Sequence, residues 1–107
     1  MTKEDNIKLI AERVMGWEQW YIDVDGAIIC VVGNKDIAFN PYESDADCMA
    51  MWDEFSEDKN TELYHYTGGS VVNEWEAKCH YRNIFYRITN KDRRTAMCEC
   101  VVKAVSQ

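Results

Sequence analysis

The sequence predicts an α+β domain: a three-stranded antiparallel sheet packed with three helices as a helix-sheet-helix sandwich, plus a hairpin-like insert at 20–33. Three observations lead there. Near the end of the chain Ala96, Met97, Cys100, Val101, Ala104 and Val105 fall at the three-and-four spacing of one helix face. From Thr61 the apolar period changes from helical to alternating, and the alternation lasts to Thr89. A chain of 107 residues with 47% hydrophobic content is large enough for one core, so residues 1–107 read as a single domain.

Each element has its own signal. Residues 2–15 form the first helix, opened by Thr2 and Asp5 in a capping-box-like start, with Ile7, Ile10, Ala11 and Val14 on one face and Gly16 as its stop. Between Trp17 and Phe39 the pattern is least regular. Asp25-Gly26 is a turn signal between the runs 21–24 and 27–32, and Gly33-Asn34-Lys35-Asp36 is a second turn. The apolar run 27–32 must be buried on both faces or form a sticky strand, and it is expected beside the main sheet or on a partner subunit. Asn40-Pro41 before Glu43, and Ser44 before Asp47, are overlapping helix starts for a second helix over about 42–57. Cys48, Met51, Trp52 and Phe55 make its buried stripe, widened by Met49 and Ala50.

Three strands follow: Thr61–Tyr66, then Val72–Tyr81 after a Gly68-Gly69-Ser70 turn, then Ile84–Thr89. With Arg82-Asn83 as a two-residue turn, Tyr81 pairs with Ile84, Cys79 with Tyr86, Ala77 with Ile88 and Lys78 with Arg87. The core face then carries Trp75, Ala77, Cys79, Tyr81, Ile84, Tyr86 and Ile88. The opposite face carries Glu74, Glu76, Lys78, His80, Phe85 and Arg87, open to water or to a partner. The helix over 91–106, with small apolar side chains, is the lid on the core face.

Three stretches resemble one family: Val14-Met15-Gly16-Trp17, Phe39-Asn40-Pro41-Tyr42-Glu43-Ser44-Asp45-Ala46-Asp47, and Thr95 to Val105. In order and spacing, from residue 7 to 105, they are similar to the phage ABA sandwich domain family. The resemblance implies a small phage or prophage protein, an antiparallel sheet between helices, and no agreed activity. It offers no catalytic residues. The chain departs from the pattern at 18–38 and at Val101 and Val102.

Composition narrows the function. The segment Met-Thr-Lys-Glu-Asp-Asn lacks the character of a signal peptide and no apolar run approaches a membrane span, so a bacterial host's cytoplasm is the expected location and no membrane partner is expected. Five cysteines, an odd number, suit reduced thiols. A net charge of -7 disfavours direct nucleic-acid binding and suits a basic partner, besides keeping the chain soluble. Asp23-Val24-Asp25-Gly26 resembles the start of a calcium loop but lacks the third acid and the distal glutamate, so it reads as a turn. Cys79-His80 and Cys98-x-Cys100 point their members apart and read as packing, with no metal and no cofactor. His65 and His80 lie near Glu62, Glu74 and Glu76 without any nucleophile signature, so no enzyme is expected.

The leading expectation is a non-enzymatic, anti-CRISPR-like antagonist that contacts a host protein or ribonucleoprotein complex of defence. Glu43, Asp45, Asp47, Asp53, Glu54, Glu57 and Asp58 along the second helix would present carboxylates where the target expects phosphates. Trp20, Lys78, His80 and Arg87 are the other candidate contacts, Trp20 being either a lid over the core or an anchor. Two alternatives stand beside it: an assembly protein that dimerises through Ile28–Val32, and a nucleotide-sequestering protein using Arg82, Arg87, Arg93 and Arg94.

Overall fold

The computed structural model describes residues 2–57, 60–66 and 73–106. The Gly68-Gly69-Ser70 turn, the strand start at Val72 and the candidate Asp58 lie outside the described residues. The chain runs α1 (Lys3–Arg13), β1 (Trp20–Ile22), β2 (Ile28–Val32), β3 (Lys35–Ala38), α2 (Asp45–Ser56), β4 (Asn60–Tyr66), β5 (Glu74–Tyr81), β6 (Ile84–Asn90) and α3 (Arg93–Val105). The strands make two antiparallel three-stranded sheets, the N-terminal one ordered β1-β2-β3 and the C-terminal one β4-β5-β6.

The other two helices and the strands β5 and β6 pack on α3. Asp92 caps it, accepting from the Thr95 amide at 3.0 Å and the Thr95 hydroxyl at 2.6 Å, and the hydroxyl's bond holds the Asp92 carboxyl below its usual range. Beyond the predicted stripe, Cys98 and Val102 are buried too, so eight side chains of this helix are inside. A one-sided lid would bury about half of its residues. This helix buries more because β5 and β6 lie on one side of it while α1 and α2 lie on the other.

α1 has the predicted capping box, with the Asp5 amide donating to Thr2 Oγ1 at 3.1 Å. It ends at Arg13. Gly16, at φ 73, then reverses the chain so that the Trp17 amide reaches the Ala11 carbonyl at 2.8 Å, and the Trp17 ring meets Phe39 edge-on at 5.3 Å. α2 starts later than expected. Asn40 and Pro41 belong to a preceding turn, where Asn40 Oδ1 accepts from the Tyr42 amide and Asp47 reaches back to the Asn40 amide; Ser44 is the cap. Met49 and Ala50 do not widen its buried stripe. Both are exposed, because Cys48, Met51, Trp52 and Phe55 already fill the contact with the core.

The insert is a strand longer than a hairpin. Only Gly33 and Asn34 form the turn, Gly33 at φ 64, so Lys35 and Asp36 continue into β3 opposite Val32 and Val31. Trp20, Ile28, Cys30 and Val32 pack towards the core, and β2 rests on α1 rather than beside the other sheet. Tyr21, Ile29, Val31, Asp36 and Ala38 fall on the outer side by the same alternation.

In the C-terminal sheet Tyr81 pairs with Ile84, Lys78 with Arg87, Cys79 with Tyr86 and Ala77 with Ile88, the predicted register. Arg82 and Asn83, at φ 51 and 65, form the two-residue turn. Ala77, Cys79 and Tyr86 are buried under α3, and Trp75, Tyr81 and Ile88 are half-buried. Ile84 departs from the expected core: at the turn it is 49% exposed.

Candidate partner-binding face

The face of the C-terminal sheet that turns away from α3 is built by strict alternation. Register places Glu62, Tyr64 and Tyr66 of β4 opposite Lys78, Glu76 and Glu74 of β5, and Arg87 and Phe85 of β6 opposite Lys78 and His80. Seven- and eight-residue strands make this a broad platform.

Its centre is Glu76, predicted to meet water but buried, with a side chain only 8% exposed. One carboxylate oxygen takes the Lys78 ammonium at 3.2 Å and the Tyr66 hydroxyl at 3.1 Å, and the other faces Arg87 Nε at 3.5 Å. A buried carboxylate is costly unless it is paired, and here two donors bond one oxygen while the Arg87 charge offsets the other. The bond to Glu76 in turn raises the Lys78 pKa. Tyr64 donates to Glu62 at 2.9 Å, lies 6.4 Å from the Tyr66 ring, and has the Lys78 ammonium 5.0 Å from its centroid.

The result is a pair of tyrosine rings held by Glu62, Glu76 and Lys78 yet open to solvent, with Phe85 exposed on the same face. Phe85 is 61% exposed, and Tyr64 and Tyr66 each 43%. Rigid aromatics with arginine nearby are the side chains that anchor protein interfaces, since few rotamers are lost on binding. Sequence reading had placed Lys78, His80, Phe85 and Arg87 here but missed Tyr64 and Tyr66. Their signal was the alternation Glu62, Tyr64, Tyr66, readable only once β4 is registered against β5.

The other candidates are scattered or engaged. Trp20 is a cover over α1: half-buried, it donates from Nε1 to Glu12 at 3.1 Å and carries the Lys8 ammonium 4.4 Å from its ring. The acidic row of α2 divides in two. At its start Asp45 meets Arg93 at 2.7 Å and Arg94 at 3.8 Å, Asp47 is bonded to the Asn40 amide, and the Glu43 carbonyl accepts from Arg94. At its end Asp53, Glu54 and Glu57 are exposed, and no basic residue sits in that last turn to balance the helix dipole. The four arginines do not gather either. Arg87 is on Glu76, Arg93 and Arg94 are on Asp45, and Arg82 lies over Tyr81 at the hairpin turn.

The residues considered for chemistry occupy packing roles. His65 stacks on Trp75 at 3.9 Å and bonds Asn73 at 2.6 Å, while His80 is exposed on the outer face. Cys79 and Cys100 touch at 3.7 Å, and this contact followed by burial pushes the Cys100 thiol up; the Cys98 thiol is pushed up by Cys48 and by burial. Among the described residues no three His, Cys, Asp or Glu side chains gather as metal ligands. Asp23 Oδ1 accepts from the Asp25 and Ala27 amides, both at 2.9 Å, so this carboxylate organises a turn. Among the described residues no helix is long and apolar enough to cross a membrane.

No family model matches the chain, and no curated protein matches it. Among solved structures, the crystal structure of a phage protein from Bacillus cereus ATCC 14579 is similar in fold, with a TM-score of 0.70 at 13% identity over 100% of this chain and 90% of that one.

Proposed function

We propose that this chain is a non-enzymatic phage or prophage protein, of the ABA sandwich kind its motifs resemble, that binds a host protein or ribonucleoprotein complex through the outer face of its C-terminal sheet. The observation that carries the reading is that exposed Tyr64 and Tyr66 stand beside the buried, ion-paired Glu76, with exposed Phe85 further along the same face. A sheet face kept for solvation alone has no need of three open aromatic rings. Likeness in fold to a phage protein supports the phage origin.

The finer reading is antagonism of a host defence complex. Asp53, Glu54 and Glu57 support it, because carboxylates near the negative end of α2 oppose the helix dipole and so cost local stability. The Ser56 and Thr61 hydroxyls, 2.7 Å apart, join that helix end to the start of β4 on the side of the sheet opposite Tyr64 and Tyr66, so the acids make a second surface apart from the platform. With Asp45 and Asp47 engaged internally, a phosphate-mimicking row would rest on these three and on Glu43.

Chemical cross-linking of the protein in a bacterial lysate, with the partner identified by mass spectrometry and its affinity then measured, tests both levels. Replacing Tyr64, Tyr66 and Phe85 together by serine is expected to abolish binding; unchanged affinity sinks the docking face. Replacing Asp53, Glu54 and Glu57 by their amides is expected to weaken binding while raising thermal stability. Unchanged affinity there removes the mimicry and leaves the docking face standing.

A homodimer is the second reading, favoured by one observation. Ile29 and Val31 on the outer side of the N-terminal sheet are only half-buried, beside exposed Tyr21 and Ala38. Sedimentation at micromolar concentration decides it: a dimer dispersed by Val31→Lys supports it, and a monomer ends it.

A further inference from the structure

A cavity of about 470 Å³ opens between the first turn of α1, the near end of the N-terminal sheet and the turn that leads into α2. Sites for small groups span ~300–1,000 Å³. Its floor is apolar, made by Ile7, Ile28, Phe39 and the ring of Tyr42, all four buried in the core. Among the described residues, the charged groups that line it are Glu4, Glu43 and Asp47 against one cation, Lys3. An anionic ligand would meet three carboxylates; a cationic one is complemented.

A cation already stands there. The Lys3 ammonium lies 5.4 Å from the centroid of the Tyr42 ring, in cation–π range. Lys3 is exposed and belongs to the first turn of α1, where the helix dipole disfavours positive charge, so its own helix does not hold it in place. The carboxylates differ in how far they are engaged. Glu4 pairs with Lys8 at 3.1 Å and Asp47 is bonded to the Asn40 amide, whereas Glu43 is bonded through its backbone, its amide donating to the Asn40 carbonyl and its carbonyl accepting from Arg94, and the residue is exposed.

We propose that this cavity receives a basic side chain of a partner polypeptide together with an adjacent apolar one. The ammonium or guanidinium takes the position over Tyr42 that Lys3 occupies in the free protein and pairs with the Glu43 carboxylate, and the apolar neighbour lies on Ile7, Ile28 and Phe39. The inference shares with the proposed function the acidic protein's preference for a basic partner and one residue, Glu43. The site is separate from the sheet face, and its test needs no host partner, so either can fail without the other.

The test is an amide chemical-shift titration of the ¹⁵N-labelled protein with N-acetyl-leucyl-arginine amide, its citrulline counterpart and its glutamate counterpart. The arginine compound is expected to shift the amides of Ala27, Phe39 and Glu43 to saturation, with citrulline weaker by roughly tenfold, the scale of one charge-assisted bond, and glutamate silent. Glu43→Gln, whose side chain supports no fold contact, is expected to weaken arginine by a similar factor. Lys3→Ala is expected to tighten it severalfold by removing the internal competitor. Equal binding of arginine and citrulline overturns the proposal. So do shifts that map elsewhere, no saturation below about ten millimolar, or weaker binding by Lys3→Ala.

Discussion

The two sheets use the same three-stranded antiparallel pattern in opposite ways. The N-terminal sheet has strands of three, five and four residues, rests one face on α1 and leaves an apolar outer side of Ile29 and Val31 half-covered. The C-terminal sheet has strands of seven, eight and seven residues and sets a bonded carboxylate into the middle of its outer side. A short sheet has too little area to keep an inner face, an outer face and a charge site distinct. A long one can pack Ala77, Cys79 and Tyr86 against a helix while its outward residues organise around Glu76. The difference separates a sheet that chiefly closes a core from one that also presents a surface.

The largest effect tests whether the sheets belong to one cooperative unit. Ile28 is, with Cys30, one of the two buried residues of β2, the strand that packs on α1, and Ile28→Ala is expected to cost about 2–5 kcal/mol. Urea unfolding followed by tryptophan fluorescence and by far-ultraviolet circular dichroism should give coincident transitions, because α1 and α3 join the two halves. Separate transitions would show the N-terminal sheet unfolding by itself and would make the contrast one of stability as well as surface.

An intermediate effect addresses the charge site. Glu76→Gln keeps the shape but removes the anion that Lys78, Arg87 and Tyr66 share, and is expected to cost about 1–3 kcal/mol by urea titration, the range for hydrogen bonds to a charged group. It should also broaden the Tyr64 and Tyr66 ring resonances as the platform loosens. A neutral result would mean that the outer face is as loosely held as that of the N-terminal sheet.

The smallest effects lie in the two hairpin turns. Gly33 holds φ 64 with open space where a Cβ would go, so Gly33→Ala should cost about 1 kcal/mol from backbone conformation alone. Asn83 holds φ 65 with a side chain, and Asn83→Gly should change stability by less than that, towards gain. Melting temperatures of the pair measure both; a loss at Asn83 would show that its side chain, and not the turn geometry, sets that hairpin.

Much of the fold was legible because its causes are local. The capping box of Thr2 and Asp5, the Ser44 cap and the Arg82-Asn83 turn are each fixed within about four residues, and that turn alone registers β5 against β6. Gly33-Asn34 misled for the same reason. Lys35 and Asp36 are turn-like by composition, and only pairing with Val32 and Val31 makes them strand. Of the candidate face, Lys78, His80, Phe85 and Arg87 followed from alternation, whereas Tyr64 and Tyr66 needed the neighbouring strand.

By itself, then, the sequence determined the three helices, the register of β5 on β6, which residues alternate, and that the chain is acidic, since periodicity and capping are properties of neighbours. Tertiary structure decided what those elements are for. It placed α3 in the middle, buried Glu76, and engaged Asp45 with Arg93, forty-eight positions away. Which charges are satisfied and which rings stay open depends on contacts between distant residues, and no local pattern carries that information.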